Sequence, residues 1–150
     1  MSNTLVSLVA GLLLWGSFAT AQSNFTVTNG AEASIPFRFM VGNQEFPAGT
    51  YVVQLDFEKQ VVVIRNEDRH ARIFLSKNDE RRQVAPKTQL VFHHLGDQFF
   101  LSAIWLERST VGERLLPGNL ETELARQRTV PAQTIALQAT GKSANGKAAN

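Results

Sequence analysis

The chain contains no cysteine, only five prolines and a single tyrosine in 150 residues. Lack of cysteine excludes a disulfide framework, a thiolate metal site, an iron–sulfur site, a cysteine nucleophile and a lipid-modified cysteine anchor. Neither sign of charge dominates, with 15 basic against 13 acidic residues and a formal net charge of +2. The densest basic stretch, from Arg65 to Lys87, is interrupted by Glu67, Asp68, Asp79 and Glu80. It reads as a solvated face, not as a stripe for nucleic acid or another polyanion. No G-x-S-x-G elbow, G-x-G-x-x-G turn or Walker-type loop is present, so nucleotide cradles and the usual serine-hydrolase geometry have no signature here.

One apolar run does occur, from Leu5 to Phe18, and it ends at Ala19-Thr20-Ala21. Its length and the small residues at 19 and 21 read as a secretory signal cut between Ala21 and Gln22. The segment before it has no Lys or Arg, which leaves the α-amino group as its only positive charge. The run falls short of the roughly 20 apolar residues that a bilayer span needs. The expected arrangement is a signal peptide over residues 1–21, one β-rich domain over 22–138 and a disordered tail over 139–150. Export implies a periplasmic or secreted protein with no transmembrane anchor after processing. A domain of this size can bury about two thirds of its unfolded surface, so it needs neither metal nor disulfide to fold.

Between the two ends the dominant signal has period two. Ile35, Phe37, Phe39 and Val41 fall on one face of a strand expected over residues 33–41, with Pro36 placing that strand at an edge. Tyr51, Val53, Leu55 and Phe57 mark the next strand. The run Val61-Val62-Val63-Ile64 suits a central strand, because β-branched side chains favour extended backbone. Residues 71–75 form another strand, and the polar stretch 76–86 is expected as a long exposed loop.

Gly96-Asp97 reads as a two-residue type II′ hairpin turn. It puts Leu95 opposite Gln98, His94 opposite Phe99, Phe92 opposite Leu101 and Leu90 opposite Ala103. Leu90, Phe92, Phe99, Leu101 and Ala103, extended by Trp105, then share an apolar face. A short helix over 120–128, capped by Asn119, carries Leu116, Leu120 and Leu124 as a docking stripe. Ile135 and Leu137 suggest a last short strand. The fold class is mainly β: a small antiparallel β-sandwich or partly open β-barrel with one short C-terminal helix.

Few residues offer chemistry. His93 and His94 are neighbours in a strand, so they point to opposite faces and cannot share one metal while the strand stays regular. His70 falls in a separate turn, and Asp97 sits in the hairpin loop. An enzymatic or small-ligand reading would need His70, His93, His94 and Asp97 to converge in one pocket. Neighbouring carboxylates such as Asp56 with Glu58 or Glu121 with Glu123 are explained by turns and helix ends. The sequence assigns no catalytic residue, no metal and no cofactor. The expected role is a non-enzymatic domain that packs against an envelope protein or a second copy of itself. Val91, His93, Phe100 and Ile104, on the half-apolar second face of the hairpin, form its candidate interaction face.

Several segments carry a resemblance. Residues 35–42 read Ile-Pro-Phe-Arg-Phe-Met-Val-Gly, and residues 46–53 read Phe-Pro-Ala-Gly-Thr-Tyr-Val-Val. With residues 87–101, Leu116-Pro117 and residues 121–125, they resemble a family of small, exported, uncharacterised proteins of acidobacteria. The resemblance implies export and a shared domain, and it assigns no activity, ligand or catalytic residue. The Pro47-Ala48-Gly49-Thr50-Tyr51 segment is also similar to a turn-into-strand in prealbumin-like sandwich modules.

Overall fold

A computed structural model describes residues 29–127 and 132–142. The N-terminal apolar run, the expected cleavage site and residues 143–150 lie outside the described residues. The elements, in chain order, are β1 (Gly30–Ile35), β2 (Phe39–Val41), β3 (Gln44–Phe46), β4 (Gly49–Asp56), β5 (Val61–Asn66) and β6 (Ala71–Glu80). They continue as β7 (Thr88–Leu95), β8 (Gln98–Trp105), β9 (Val111–Leu115), α1 (Asn119–Arg126) and β10 (Ala132–Lys142). Eight strands close a ring in the order β8-β7-β10-β1-β4-β5-β6-β9, with β9 pairing back onto β8. Every neighbour in the ring is antiparallel. The fold is therefore an eight-stranded antiparallel barrel with two extra strands, β2 and β3, and one short C-terminal helix. Strands β7, β8 and β9 form a meander, and β10 returns beside β7, which is Greek-key order. Helix α1 lies in that return connection.

Alternation along the strands fills the barrel. Ala33, Ile35, Tyr51, Val53, Leu55, Val62, Ile64, Leu90, Phe92, Leu101, Ile104 and Leu115 form one buried cluster, joined by Phe39 and Val41 from β2. Phe39 meets Tyr51 and Phe92 edge-on, at centroid distances of 5.3 and 5.7 Å. Such contacts fix ring positions beyond simple burial.

Several local expectations are corrected. The strand foreseen over 33–41 is two strands. Pairing stops at Ile35, since Pro36 has no N–H to donate, and the chain resumes as β2, which crosses to β8 with Met40 opposite Phe100. β1 itself is not an edge; it lies between β10 and β4. Residues 76–80 are not loop but the second half of β6, paired with β9 from Ser76↔Leu115 to Glu80↔Val111. The polar pattern hid this, because the inward positions Ser76 and Asn78 lie opposite Leu115 and the buried Glu113. β10 runs to Lys142, so the tail does not start at 139; small residues are enough where the ladder hydrogen bonds hold the chain.

The Gly96-Asp97 turn forms as expected, with Gly96 at φ +61° and Leu95, His94, His93 and Phe92 opposite Gln98, Phe99, Phe100 and Leu101. Beyond it the register shifts. Phe92 faces Leu101 but Val91 faces Ala103, so Ser102 is a bulge residue. Its Oγ donates to the Val91 carbonyl at 3.1 Å. The bulge reverses the side-chain order after residue 102. Leu90 faces Ile104, which enters the core, while Ala103 and Trp105 turn outward into a second cluster with Ala85 and Val91.

The helix is also placed differently. Gly118, not Asn119, is its N-cap, and it has no side chain with which to cap the helix. The Asn119 N–H donates instead to Asn43 Oδ1 at 2.7 Å. Leu116 and Leu120 are 39% and 43% exposed and Leu124 is half-buried, so the three leucines do not dock as one stripe; the buried residue of the helix is Glu121.

Candidate functional site

The four residues of the enzymatic reading do not converge. His94 stacks on Phe99 with the ring centroids 4.2 Å apart and the ring planes nearly parallel, and Phe99 stacks in turn on Phe37. His93 projects from the opposite face of β7, with Nδ1 2.9 Å from Glu121 Oε1. Asp97 stays in the hairpin turn, and His70 lies in the turn between β5 and β6. Among the described residues no group of three or more His, Asp or Glu side chains is placed to hold a metal ion.

The candidate interaction face is largely covered. Phe100 is 1% exposed and Ile104 fully buried, so only Val91 and His93 of the four remain partly accessible. The Ser102 bulge sends Ile104 inward. Phe100 does point outward beside His93, but Glu121 reaches His93 from α1, so the helix lies over this face. Gly118 lets the helix start close to the β2–β3 turn: a Cβ there would stand 2.1 Å from the Gly42 carbonyl oxygen.

Next to the helix a surface groove of about 330 Å³ is lined by Asp79, Arg81, His93, Ser102, Trp105, Arg114 and Thr134, among others. Asp79, Arg81, His93 and Arg114 already have partners. Arg114 Nε donates to Asp79 Oδ2 at 2.9 Å, His93 meets Glu121, and the Arg81 guanidinium lies 3.6 Å over the Trp105 ring. Partial burial pushes the Arg81 pKa down. Gly112 makes room for the indole, since a Cβ at that position would come within 2.6 Å of it. These contacts close the barrel wall over Trp105.

The other groove differs. It holds about 380 Å³ at the barrel mouth, between β3 with the following Pro47 and the start of β6. Gln44, Glu45, Phe46, Pro47, Tyr51, Asn66, His70 and Arg72 line it. Local hydrogen bonds set its shape. Tyr51 donates to the Pro47 carbonyl at 2.7 Å, and Asn66 Oδ1 accepts from the His70 N–H at 2.9 Å. Burial raises the Tyr51 pKa and keeps the phenol neutral. Glu45 pairs with Arg38 across 3.6 Å. Arg72 is exposed and has no ion-pair partner among the described residues.

Beside this groove the sheet edge is open. On one side β6 pairs with β5 through residues 71–75; on the other, β9 begins pairing only at Ser76. The Ser76 N–H donates to Gln60 on the β5 side, and the Leu75 carbonyl accepts from Leu116 on the β9 side. Alternation then aims the N–H and C=O groups of Ala71 and Ile73 at the side β9 does not reach. There they have no backbone partner among the described residues. Ile73 and Leu75 point outward along the same stretch and are 69% and 66% exposed. Val63 and Val61 stand opposite them on β5.

Among the described residues, two buried polar side chains lack a hydrogen-bond partner. Glu113 is fully buried and neither carboxylate oxygen has a hydrogen-bond partner; Ser76 Oγ, also buried, lacks one as well. Burial raises the Glu113 pKa, with a further push from Asp56 and a partial offset from the nearby Ser76 hydroxyl, whose approach falls short of a well-formed hydrogen bond.

Compared with known protein families, characterised proteins and solved structures, this chain matches none. Sequence reasoning passed over the open stretch of β6 and Arg72. The signal was present: Ile73 and Leu75 alternate with Arg72 and Phe74 directly before a polar segment. What could not be read was that β9 covers only half of the strand.

Proposed function

We propose that this chain is an exported, non-enzymatic domain that binds another envelope component through the outer wall of β5 and β6. The barrel is the scaffold, and the covered β7–β8 wall is part of it. The observation that carries the reading is the exposure of Ile73 and Leu75, two large aliphatic side chains on the outer face of β6 beside unpaired backbone. Scattered single apolar residues on a surface need no explanation, but a cross-strand group at an open strand edge does. The signal-like N-terminus and the envelope setting it implies motivate the compartment. An envelope hydrolase or small-ligand binder built on His70, His93, His94 and Asp97 gains no support, since these groups lie in separate parts of the fold.

Fractionation of a bacterium expressing the full chain tests the proposal. The native protein is expected to sediment with the envelope and to cross-link to a specific component. The double variant Ile73→Ser, Leu75→Ser is expected to fold normally and appear in the soluble fraction. Equal envelope association of the two proteins would overturn the assignment of this wall.

A further inference from the structure

We infer that β6 takes up an extended acidic peptide segment as an added strand along residues 71–75, with a carboxylate of that segment on Arg72. The inference rests on the binding-domain reading and names the mode and chemistry of the partner. Three observations converge. First, Ala71 and Ile73 present N–H and C=O groups on a side where β9 does not reach. Strand addition satisfies such groups and supplies affinity without regard to sequence. Second, the exposed Ile73 and Leu75 flank that edge on the outer face. Outward residues of an added strand would lie beside them as cross-strand neighbours, which favours apolar side chains at alternate positions. Third, Arg72 points to the inner side, into the groove with His70 and Asn66, and has no ion-pair partner among the described residues. An inward residue of the added strand meets that guanidinium, and a carboxylate is its natural counterpart.

A peptide fits better than a second copy of the chain. Antiparallel self-pairing centred on Ile73 would place Arg72 opposite Phe74 of the other copy and leave both guanidinium groups without a counter-charge. An inward-pointing charge on an exposed edge is a known deterrent to edge-to-edge association. The groove is also walled on its far side by β3 and Pro47, which suits a single extended chain more than another barrel.

The test uses the purified chain and a blocked, fluorescent peptide, Val-Thr-Val-Glu-Val-Thr-Val. Saturable binding by anisotropy is expected, with increased hydrogen-exchange protection of the Ala71 and Ile73 amides. Replacing the central Glu of the peptide by Lys should weaken binding at least about tenfold, and Arg72→Glu should reverse the preference. N-methylation of alternate peptide nitrogens in the register facing β6 should abolish binding while methylation in the other register should not. Indifference to N-methylation, or a preference unchanged in Arg72→Glu, would overturn the inference. So would sedimentation showing that the unliganded protein is a dimer broken by substitution at Ile73. If no peptide binds yet Ile73→Ser, Leu75→Ser releases the protein from the envelope, strand addition fails while the binding-domain reading stands. If neither effect occurs, both fail.

Discussion

Strands β8 and β6 sit in one barrel, each flanked by the same third strand, β9, yet they are opposites in burial. From Phe100 to Trp105 every residue of β8 is buried, while only Ser76 is buried in the ten residues of β6. The core accounts for one face of each. The difference lies outside. The wall of β7 and β8 is flanked by α1, which reaches His93 on β7, and by the chain around Arg81 and Ala85, while β2 pairs along the far end of β8. The outer face of β6 is bare at Ala71, Ile73 and Leu75, and β9 reaches only the other half of its edge. A strand buried on both faces contributes mainly to stability. A strand bare on one face and along part of one edge is free to serve recognition, because changes there cost the fold little.

The largest expected effect tests the buried side of this contrast. Phe100→Ala removes an outward-facing side chain that is nonetheless 1% exposed, and should cost about 3–5 kcal/mol, as for core phenylalanines generally. The half-buried Phe74 of β6 should lose clearly less on the same substitution. Urea-unfolding midpoints measure both. Equal losses would mean that the two walls are not energetically distinct.

Next is the cover itself. Gly118→Ala drives a methyl group into the Gly42 carbonyl, a backbone atom that cannot swing aside. A cost of about 1–3 kcal/mol is expected, typical of overpacking. The helix should lift as well, which would break the His93–Glu121 contact and expose Phe100. Hydrogen exchange at residues 119–126 would report the lift. Unchanged protection there would show that α1 is held by something other than its close start.

Much of this architecture was legible in period-two patterning. The barrel-facing residues of β4 and of β7 and the Gly96-Asp97 turn follow from side-chain alternation and turn chemistry, while the Val61–Ile64 run marked β5 as a strand without showing which face turns inward. What was not legible has local physical causes. The Ser102 bulge is one extra residue in an apolar strand, and alternation looks the same with or without it. It nevertheless moved Ile104 from the candidate interaction face into the core and turned Trp105 outward. The second half of β6 was hidden because Ser76 and Asn78 are polar on the inward side, where the buried Glu113 lies opposite Asn78. The expected stripe misled through Leu116 and Leu120, which are exposed, while the buried residue of the helix is a glutamate. Burial of a charged group is rare enough that sequence reasoning places it last. The groove at the barrel mouth depends on where β3 stops, which no local pattern records.

Glu113 sharpens the comparison from the inside, since β9 links the two walls and carries this acid into the interior. Its native pKa is raised, so the folded state holds its proton to higher pH than the unfolded chain does. No penalty exists below the ordinary carboxylate value of 4.5, where both states are protonated. As pH rises through and beyond that value toward the native pKa, the unfolded chain ionises first and stability falls. The side chain of Glu113→Gln does not ionise, so the variant should lose this slope and gain on the order of 1 kcal/mol at neutral pH from the lost ionisation penalty. Urea midpoints against pH measure both. A wild-type curve as flat as that of the variant would mean that water or a partner group reaches the acid.

The smallest expected effect on stability belongs to the bare wall, and its smallness is what matters. Ile73→Thr keeps β-branching and therefore the strand preference, while it replaces an exposed apolar surface by a hydroxyl that water can solvate. At 69% exposure Ile73 has little burial to lose, so the change should stay within about 0.5 kcal/mol. Thermal or urea unfolding of the purified variant measures it. A loss of 1 kcal/mol or more, on the order of ordinary destabilising substitutions, would mean that Ile73 is packed in the native protein. Some segment outside the described residues would then already cover β6, and the contrast between the two walls would collapse. A neutral result, with envelope association reduced in the same variant, would separate recognition from stability on a single side chain.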